Sequence, residues 1–309
     1  MLRFIGKRLL YMIPVLVGVT FIIFAILHLT PGCPATIVLG ERATAEQIAD
    51  QRELMGLNDP MIVQYGRFMG NLIFNFDLGR SWRTNRPVFN EILNRFPPTV
   101  QLAAAGTLVS VLMGIPVGII AATKQYSFFD NVTMVITLLG LAMPLFWMAM
   151  LMQLLFSLRL GWVVATGWGT WQQMIMPAIA IGVGSAATIA RMTRSSMLEI
   201  IRQDYIRTAR SKGQKESVVI IHHALKNALI PIITVIGLQF GWLLGGAVLT
   251  ESVFGIPGLG TFMVEGIRTR DLPIVQGGVL IVAATFSLVN LAVDVLYGFV
   301  DPRVRSQYR

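Results

Sequence analysis

Few side chains in this sequence have the type and spacing for chemistry. The histidines are His28, His222 and His223, and the one cysteine is Cys33. A structural zinc site takes four nitrogen or sulfur ligands, usually in closely spaced pairs. His222 and His223 are neighbours, so on a helix they point to different faces. His28 lies far from both in the chain, and the three make no preformed ligand cluster. A single cysteine forms no internal disulfide. Ser211-Lys212-Gly213 sets a lysine beside a glycine, but the loop G-x-x-x-x-G-K-[ST], whose amides cradle phosphates, does not occur. No serine has a base placed to activate it. The expectation is a chain without catalytic residues and without a cofactor or metal site of its own.

The elements that hold these residues are greasy. Hydrophobic residues make up 54% of the 309 and charged residues 13%, with a mean hydropathy of +0.66. A soluble domain carries roughly 25% charged residues, so the chain reads as an integral membrane protein. Runs of roughly 20 apolar residues, enough to cross a bilayer, fall at about 9–29, 97–122, 132–157, 174–191, 227–249 and 276–298. The fold class expected is all-α and polytopic, with six transmembrane helices. The run from Leu9 to Leu29 is too long for the core of a cleavable signal peptide and is read as an uncleaved first span. Pro14, Pro97, Pro98, Pro116, Pro144 and Pro177 lie in or near the first four spans. Bends of that kind are tolerated where neighbours re-satisfy the freed carbonyls, and they suit a transporter better than an anchor.

The net charge of +9 would raise nucleic acid in a soluble protein. Here its position explains it. Residues 191–226 carry eight Lys and Arg against Glu199, Asp204 and Glu216, whereas seven bases in 30–95 are matched by seven acids. With Arg3, Lys7 and Arg8 before the first span and Arg303, Arg305 and Arg309 after the last, the positive-inside rule puts both termini and the 191–226 segment in the cytoplasm. Basic cytoplasmic loops require no nucleic acid.

The outer loop, 30–96, is expected to be ordered. Thr44 with Gln47 makes a capping box and Gly56 can close that helix. Pro60 to Phe74 reads as a second helix, and Pro87 to Phe96 as a third, short one ahead of Pro97-Pro98. Such a loop could cover a pore, receive a partner, or pad the bundle.

On the inner side, helical periodicity continues from Arg191 to Arg207. Gly213 then permits a backbone conformation or a close approach that a side chain would block. The apolar Val218–Ile221 precedes His222-His223. Two short amphipathic helices with a glycine corner result, and such helices lie on a membrane or fill a partner's groove. In span five, Gly237, Gly241 and Gly245 recur at four-residue spacing, with Gly246 beside them, a pattern that lets helices approach closely. Gln239 and Trp242 share that span and Glu251 lies at its outer end. Asp294 in span six is an intramembrane acid, a functional candidate by default, yet close enough to the inner boundary to pair with a cytoplasmic arginine.

The Tyr205–Ile232 stretch resembles the coupling loop of permease subunits in ATP-binding-cassette (ABC) importers, which puts the cytoplasmic coupling loop of this chain at 192–226. That loop's signature is Glu-Ala-Ala, three residues, Gly, nine residues, then Ile-x-Leu-Pro. Anchored on Gly213, this chain has Arg207-Thr208-Ala209 at the first triplet and His223-Ala224-Leu225-Lys226 at the last four positions. Ala209, Gly213 and Leu225 match the general pattern. The remainder, DYIRTARSKG and HHALKNALIPI, is the usual form in the peptide, nickel and glutathione permeases. The resemblance covers nearly the whole chain, including RFIGKRLLYMIPVLVGVTFIIFAILHLTPGCPA, LGLAMPLFWMAMLMQLLFSLRLGW and NLAVDVLYGFVDPRVR, and is to the first permease of the pair. One departure is Pro31-Gly32-Cys33-Pro34, where Pro-Gly-Asp-Pro is usual.

The resemblance implies the type I ABC importer permease fold as a single domain, 1–309, in a bacterial or archaeal cytoplasmic (inner) membrane. It implies a second, homologous permease as heterodimer partner and two cytoplasmic ATPase subunits that hold the ATP and Mg. An extracytoplasmic solute-binding protein would deliver cargo above the FGIPGLG turn of Pro257, Gly258 and Gly260. Asp204, Tyr205, Arg207, Thr208, Ala209 and Gly213 would contact an ATPase, with His223, Ala224, Leu225 and Asn227 behind. Gly237, Gln239, Gly241, Trp242, Gly245 and Glu251 would lie along the pathway or the permease interface, plain packing staying open for each glycine. The cargo implied is a di- or oligopeptide, with nickel or glutathione as alternatives on the same scaffold. A self-sufficient secondary transporter is the reading from another class and predicts inverted repeats and membrane-embedded ion ligands. A receptor without transport would need no coupling loop.

Overall fold

A computed structural model describes residues 2–40 and 42–300, without the side chains of 2–4, 246 and 297–300. The tail cations Arg303, Arg305 and Arg309 lie outside the described residues, as does the end of NLAVDVLYGFVDPRVR. Among the described residues there is no strand, only an isolated antiparallel bridge between Arg80 and Pro87.

The first apolar run forms α1 (Leu2–Leu29), and three short helices follow, α2 (Pro34–Leu39), α3 (Ala45–Leu54) and α4 (Met61–Asn75). The α3 capping box forms as its sequence demands. Gln47 N donates to Thr44 Oγ1 at 3.3 Å while Thr44 N donates to Gln47 Oε1 at 2.9 Å. Gly56, at φ +66°, turns the chain out of that helix.

Helix α5 (Val88–Thr123) corrects the expectation of a separate helix ending before Pro97-Pro98, because it runs unbroken through both prolines. Proline's fixed φ suits a helix, but each ring removes a backbone bond and crowds the carbonyl four residues back, so flanking packing must hold the helix together. Burial of Val88 and Ile92 on one side and of Leu102 and Ala103 on the other anchors both halves.

The span expected at 132–157 is in fact two helices, α6 (Phe128–Ala142) and α7 (Leu145–Met152), the latter continued by a π-helical turn, Gln153–Arg159. They meet at 99°. Pro144 disfavours helical backbone in the residue before it, and Met143 is extended at ψ 126°.

The remaining elements are α8 (Trp171–Ile201), α9 (Asp204–Ser211), α10 (Glu216–Val218) with a π-helical turn Val219–Leu225, α11 (Lys226–Gly246), α12 (Val248–Phe254), α13 (Leu259–Arg268) and α14 (Leu272–Val300). Of the two short helices expected around Gly213, only α9 stands alone. The second is continuous with α11, since nothing between Glu216 and Leu225 breaks the helix and the π turn absorbs one extra residue. Among the described residues five helices are long and apolar enough to cross a membrane, and six spans result if the bent α6–α7 pair is one broken span.

Backbone packing divides the chain into two compact units, one built on Val100–Ile256 with the end of α14, the other on Gly6–Thr99 and Pro257–Ser287. In the first, α5 packs against α8 along a strip of small residues, Gly106, Ser110, Gly114 and Gly118. A Cβ on Gly114 would sit 2.8 Å from the Ala186 carbonyl, and one on Gly118 2.6 Å from that of Ala190. Ser110 Oγ donates to Gly106 O at 2.6 Å and to Gly182 O on α8 at 3.1 Å. Close backbone approach and interhelical hydrogen bonds are what hold helices together where lipid gives no hydrophobic incentive.

The second unit has its own core of Leu78, Val88, Ile92, Leu259, Phe262 and Ile274. Asp271, only 1% exposed, clamps the loop after Gly79 to the α13–α14 junction. Its carboxylate accepts from Ser81 Oγ at 2.5 Å, Trp82 N at 3.1 Å and Arg83 N at 3.3 Å. Three donors make this buried carboxylate tolerable.

Candidate functional site

The segment singled out by its sequence forms one exposed polar surface on an apolar seat. On α9, Asp204, Tyr205, Arg207 and Thr208 are exposed and Ala209 is half-buried, whereas Ile206 is fully buried. Ile206 sits in a cluster with Ile189 and Met197 of α8, with Val219, Ile220 and Ala224 of the π turn, and with Ala228 and Ile232 of α11. Burying such a side chain contributes about 1.5–3 kcal/mol. One residue therefore fastens an otherwise polar helix to two long ones.

The return of the chain is fixed by a glycine and an ion pair. Gly213 has φ +74° and open space where a Cβ would be. The backbone conformation, not a close approach, is what requires glycine there. Across the turn Arg210 Nε donates to Glu216 Oε2 at 3.1 Å and Nη2 to Oε1 at 2.6 Å. Asn227 Nδ2 donates to the His223 carbonyl at 2.7 Å and to Tyr205 Oη at 3.2 Å. His223 Nε2 lies 2.8 Å from Gln214 Oε1. The structure thus brings Tyr205, His223 and Asn227 together behind α9, with Leu225 half-buried and Ala224 wholly buried beside them. The rings of His222 and His223 meet edge to face at 5.6 Å. Among the described residues no three His, Cys, Asp or Glu side chains converge as metal ligands do.

The residues picked from span five separate. Gln239 and Trp242 line a hollow of about 260 Å³ with Gly184, Ser185 and Thr188 of α8 and Met143 at the α6–α7 break. Gly237 packs on Val293 of α14 with no room for a Cβ. Gly241 is buried, Gly245 is exposed, and Glu251 is wholly buried on α12. Asp294 is half-buried on α14.

Three features were not found from the sequence. Arg194, counted there as a basic-loop cation, is locked to Asp130 of α6. Its Nε donates to Oδ1 at 2.8 Å and its Nη2 to Oδ2 at 2.7 Å, with Tyr126 N donating to Oδ2 at 3.0 Å. Such a fork-to-carboxylate pair ties α8 to the start of α6 more firmly than a point charge would. Partners 64 residues apart leave no local signal. The Asp271 clamp is equally non-local. The strip on α5 was legible as glycine and serine at four-residue spacing from 106 to 118, the same signal noticed on α11.

Comparison with known proteins adds the following. A family model described as "Binding-protein-dependent transport system inner membrane component" matches residues 114–306, and one described as "Binding-prot-dependent transport system membrane comp, N-term" matches 1–103. The chain is 45% identical to the dipeptide transport system permease protein DppB of Alkalihalophilus pseudofirmus, covering 99% of this chain and 100% of that one. It is 41% identical to the glutathione transport system permease protein GsiC of Salmonella paratyphi A, covering 99% of each. Among solved structures, an inward-facing MetNI methionine ABC transporter chain aligns with TM-score 0.60 at 16% identity, over 68% of this chain and 96% of that one. At that identity the likeness is one of fold.

Proposed function

The chain belongs to the family of inner membrane components of binding-protein-dependent transport systems, and from that premise we propose that it is a pore-forming permease subunit of an ATP-driven importer of di- or oligopeptides. The relatives named for dipeptide and glutathione transport support a short peptide-like cargo. Its partners in this reading are a second, homologous permease, two cytoplasmic ATPases that hold the ATP and Mg, an external solute-binding protein and membrane lipid. Both termini and the α9 surface face the cytoplasm, as the excess of Lys and Arg in 191–226 favours.

The observation that carries the reading is the seat of α9. Its exposed polar face is free to enter a groove on another protein, while Ile206 is gripped by α8, the π turn and α11. A displacement of α9 is passed to those two helices as rigid bodies. The same helices carry Gln239, Trp242, Ser185 and Thr188 around the hollow at the α6–α7 break. Movement of the ATPases thus has a mechanical route to residues that can line the pathway. Gly237 serves packing within the chain, and Gly245, being exposed, is the better candidate for the permease interface.

The test is a cross-link. With Cys33 replaced by serine, a cysteine at Thr208 should form a cross-link to an ATPase subunit in the assembled transporter, and one at Thr84 in the other unit should not. An intact transporter in which Thr208→Cys gives no cross-link to an ATPase contradicts the reading.

A further inference from the structure

A cavity of about 620 Å³ lies in the unit built on Gly6–Thr99 and Pro257–Ser287. One wall is the end of the spanning helix α1, with Ile23, Ile26, Leu27 and His28; another is the α13–α14 corner, with Ile267, Leu272 and Val275. Its charged lining is of one sign. Arg52, Arg268 and Arg270 face it, no Asp or Glu among the described residues does, and none of the three arginines is ion-paired among the described residues. The acid next in sequence, Asp271, is turned into its own three-donor clamp. The Arg270 guanidinium lies over Gly32, filling the place a Cβ there would take. Residue 33, next to it and also in the lining, is a thiol rather than a carboxylate.

Guanidinium groups without an ion-pair partner among the described residues, set in a lining that is otherwise largely apolar, suit an anion with an apolar body. The position of the cavity says which. It opens at the end of a membrane helix whose surface is largely unburied within the chain, and Trp82 lines it, a residue type that favours the headgroup level of a bilayer. We propose that this cavity is a binding site for the phosphate headgroup of an anionic phospholipid, with Arg268 and Arg270 on the phosphate and the acyl chains along α1. Arginine forks bind phosphate oxygens by paired, charge-assisted hydrogen bonds, which a phospholipid headgroup can supply. Its lining shares no residue with α9 or with the hollow around Gln239, and its test does not depend on cargo or on ATPase contact.

Cys33, the only cysteine, reports on the cavity from within. The complete transporter is placed in nanodiscs of phosphatidylcholine alone, or of phosphatidylcholine with phosphatidylglycerol. The rate at which the uncharged reagent N-ethylmaleimide alkylates Cys33 is then measured. The expected result is a several-fold slower rate with phosphatidylglycerol. The Arg268→Gln/Arg270→Gln double variant should lose that ratio, and Arg67→Gln, whose arginine pairs with Asp59 outside the cavity, should keep it. Equal rates in the two lipids for the native chain overturn the proposal. Equal protection by inorganic phosphate in phosphatidylcholine discs also overturns it, assigning the site to a free anion. A native mass spectrum supplies a readout independent of the thiol. Retained phosphatidylglycerol should be lost in Cys33→Asp, which sets a carboxylate beside Arg270, and its retention there would contradict the model.

Discussion

At Gly213 the φ of +74° and the open space around the α-carbon separate two reasons for a glycine. Only conformation is at stake, so residues that tolerate the left-handed region should substitute. Gly213→Asn should keep near-native coupling, whereas Gly213→Val should lose about 1–2 kcal/mol of local stability. ATPase stimulation measured for both variants checks this, and equal loss in the two would mean that space, not conformation, is limiting. Ile206 is the apolar counterpart. Ile206→Ala removes a fully buried side chain and should cost about 2–5 kcal/mol, seen as a lower thermal midpoint in detergent. The sequence announced Gly213, because a glycine between two helical patterns is a local signal. It could not announce the Arg194–Asp130 pair or the Asp271 clamp, whose partners are brought together only by the packed helices. For the same reason Gly237 and Gly245, alike on paper, part ways in the fold, one against Val293 and the other exposed.

Element boundaries were governed by prolines, and similar prolines gave opposite results. Pro97 and Pro98 lie inside an unbroken helix anchored by buried residues on both sides. Pro144 ends one helix and starts another at 99°. No local rule separates these cases, since the difference lies in what the flanking turns pack against. That is why the six apolar runs were visible in the sequence while the α5 fusion and the α6–α7 break were not. The small-residue strip between α5 and α8 yields a prediction at this scale. A Cβ at Gly114 would crowd the Ala186 carbonyl at 2.8 Å, whereas one at Gly184 meets nothing within 4 Å. Gly114→Val should therefore destabilise the bundle by about 1–3 kcal/mol, and Gly184→Ala should be neutral. Thermal unfolding of the two variants decides it, and equal midpoints would show that the helices slide apart without cost.

At the scale of the described molecule, the α9 surface with the helices it is bolted to and the cationic cavity at the end of α1 are the polar features proposed to meet other molecules. In the importer reading the first transmits work done elsewhere, and the chain needs no chemistry of its own. The most direct measurement is ATP hydrolysis by the transporter reconstituted with its second permease, its ATPases and its solute-binding protein, comparing the native chain with Arg207→Glu/Thr208→Trp. Both positions are exposed on α9, so the variant chain should fold, and what it loses is the contact with the ATPases. The account predicts that peptide-loaded binding protein stimulates hydrolysis and peptide uptake in the native transporter and stimulates neither in the variant. Full stimulation in the variant, or peptide uptake by this chain without the ATPases, would contradict it.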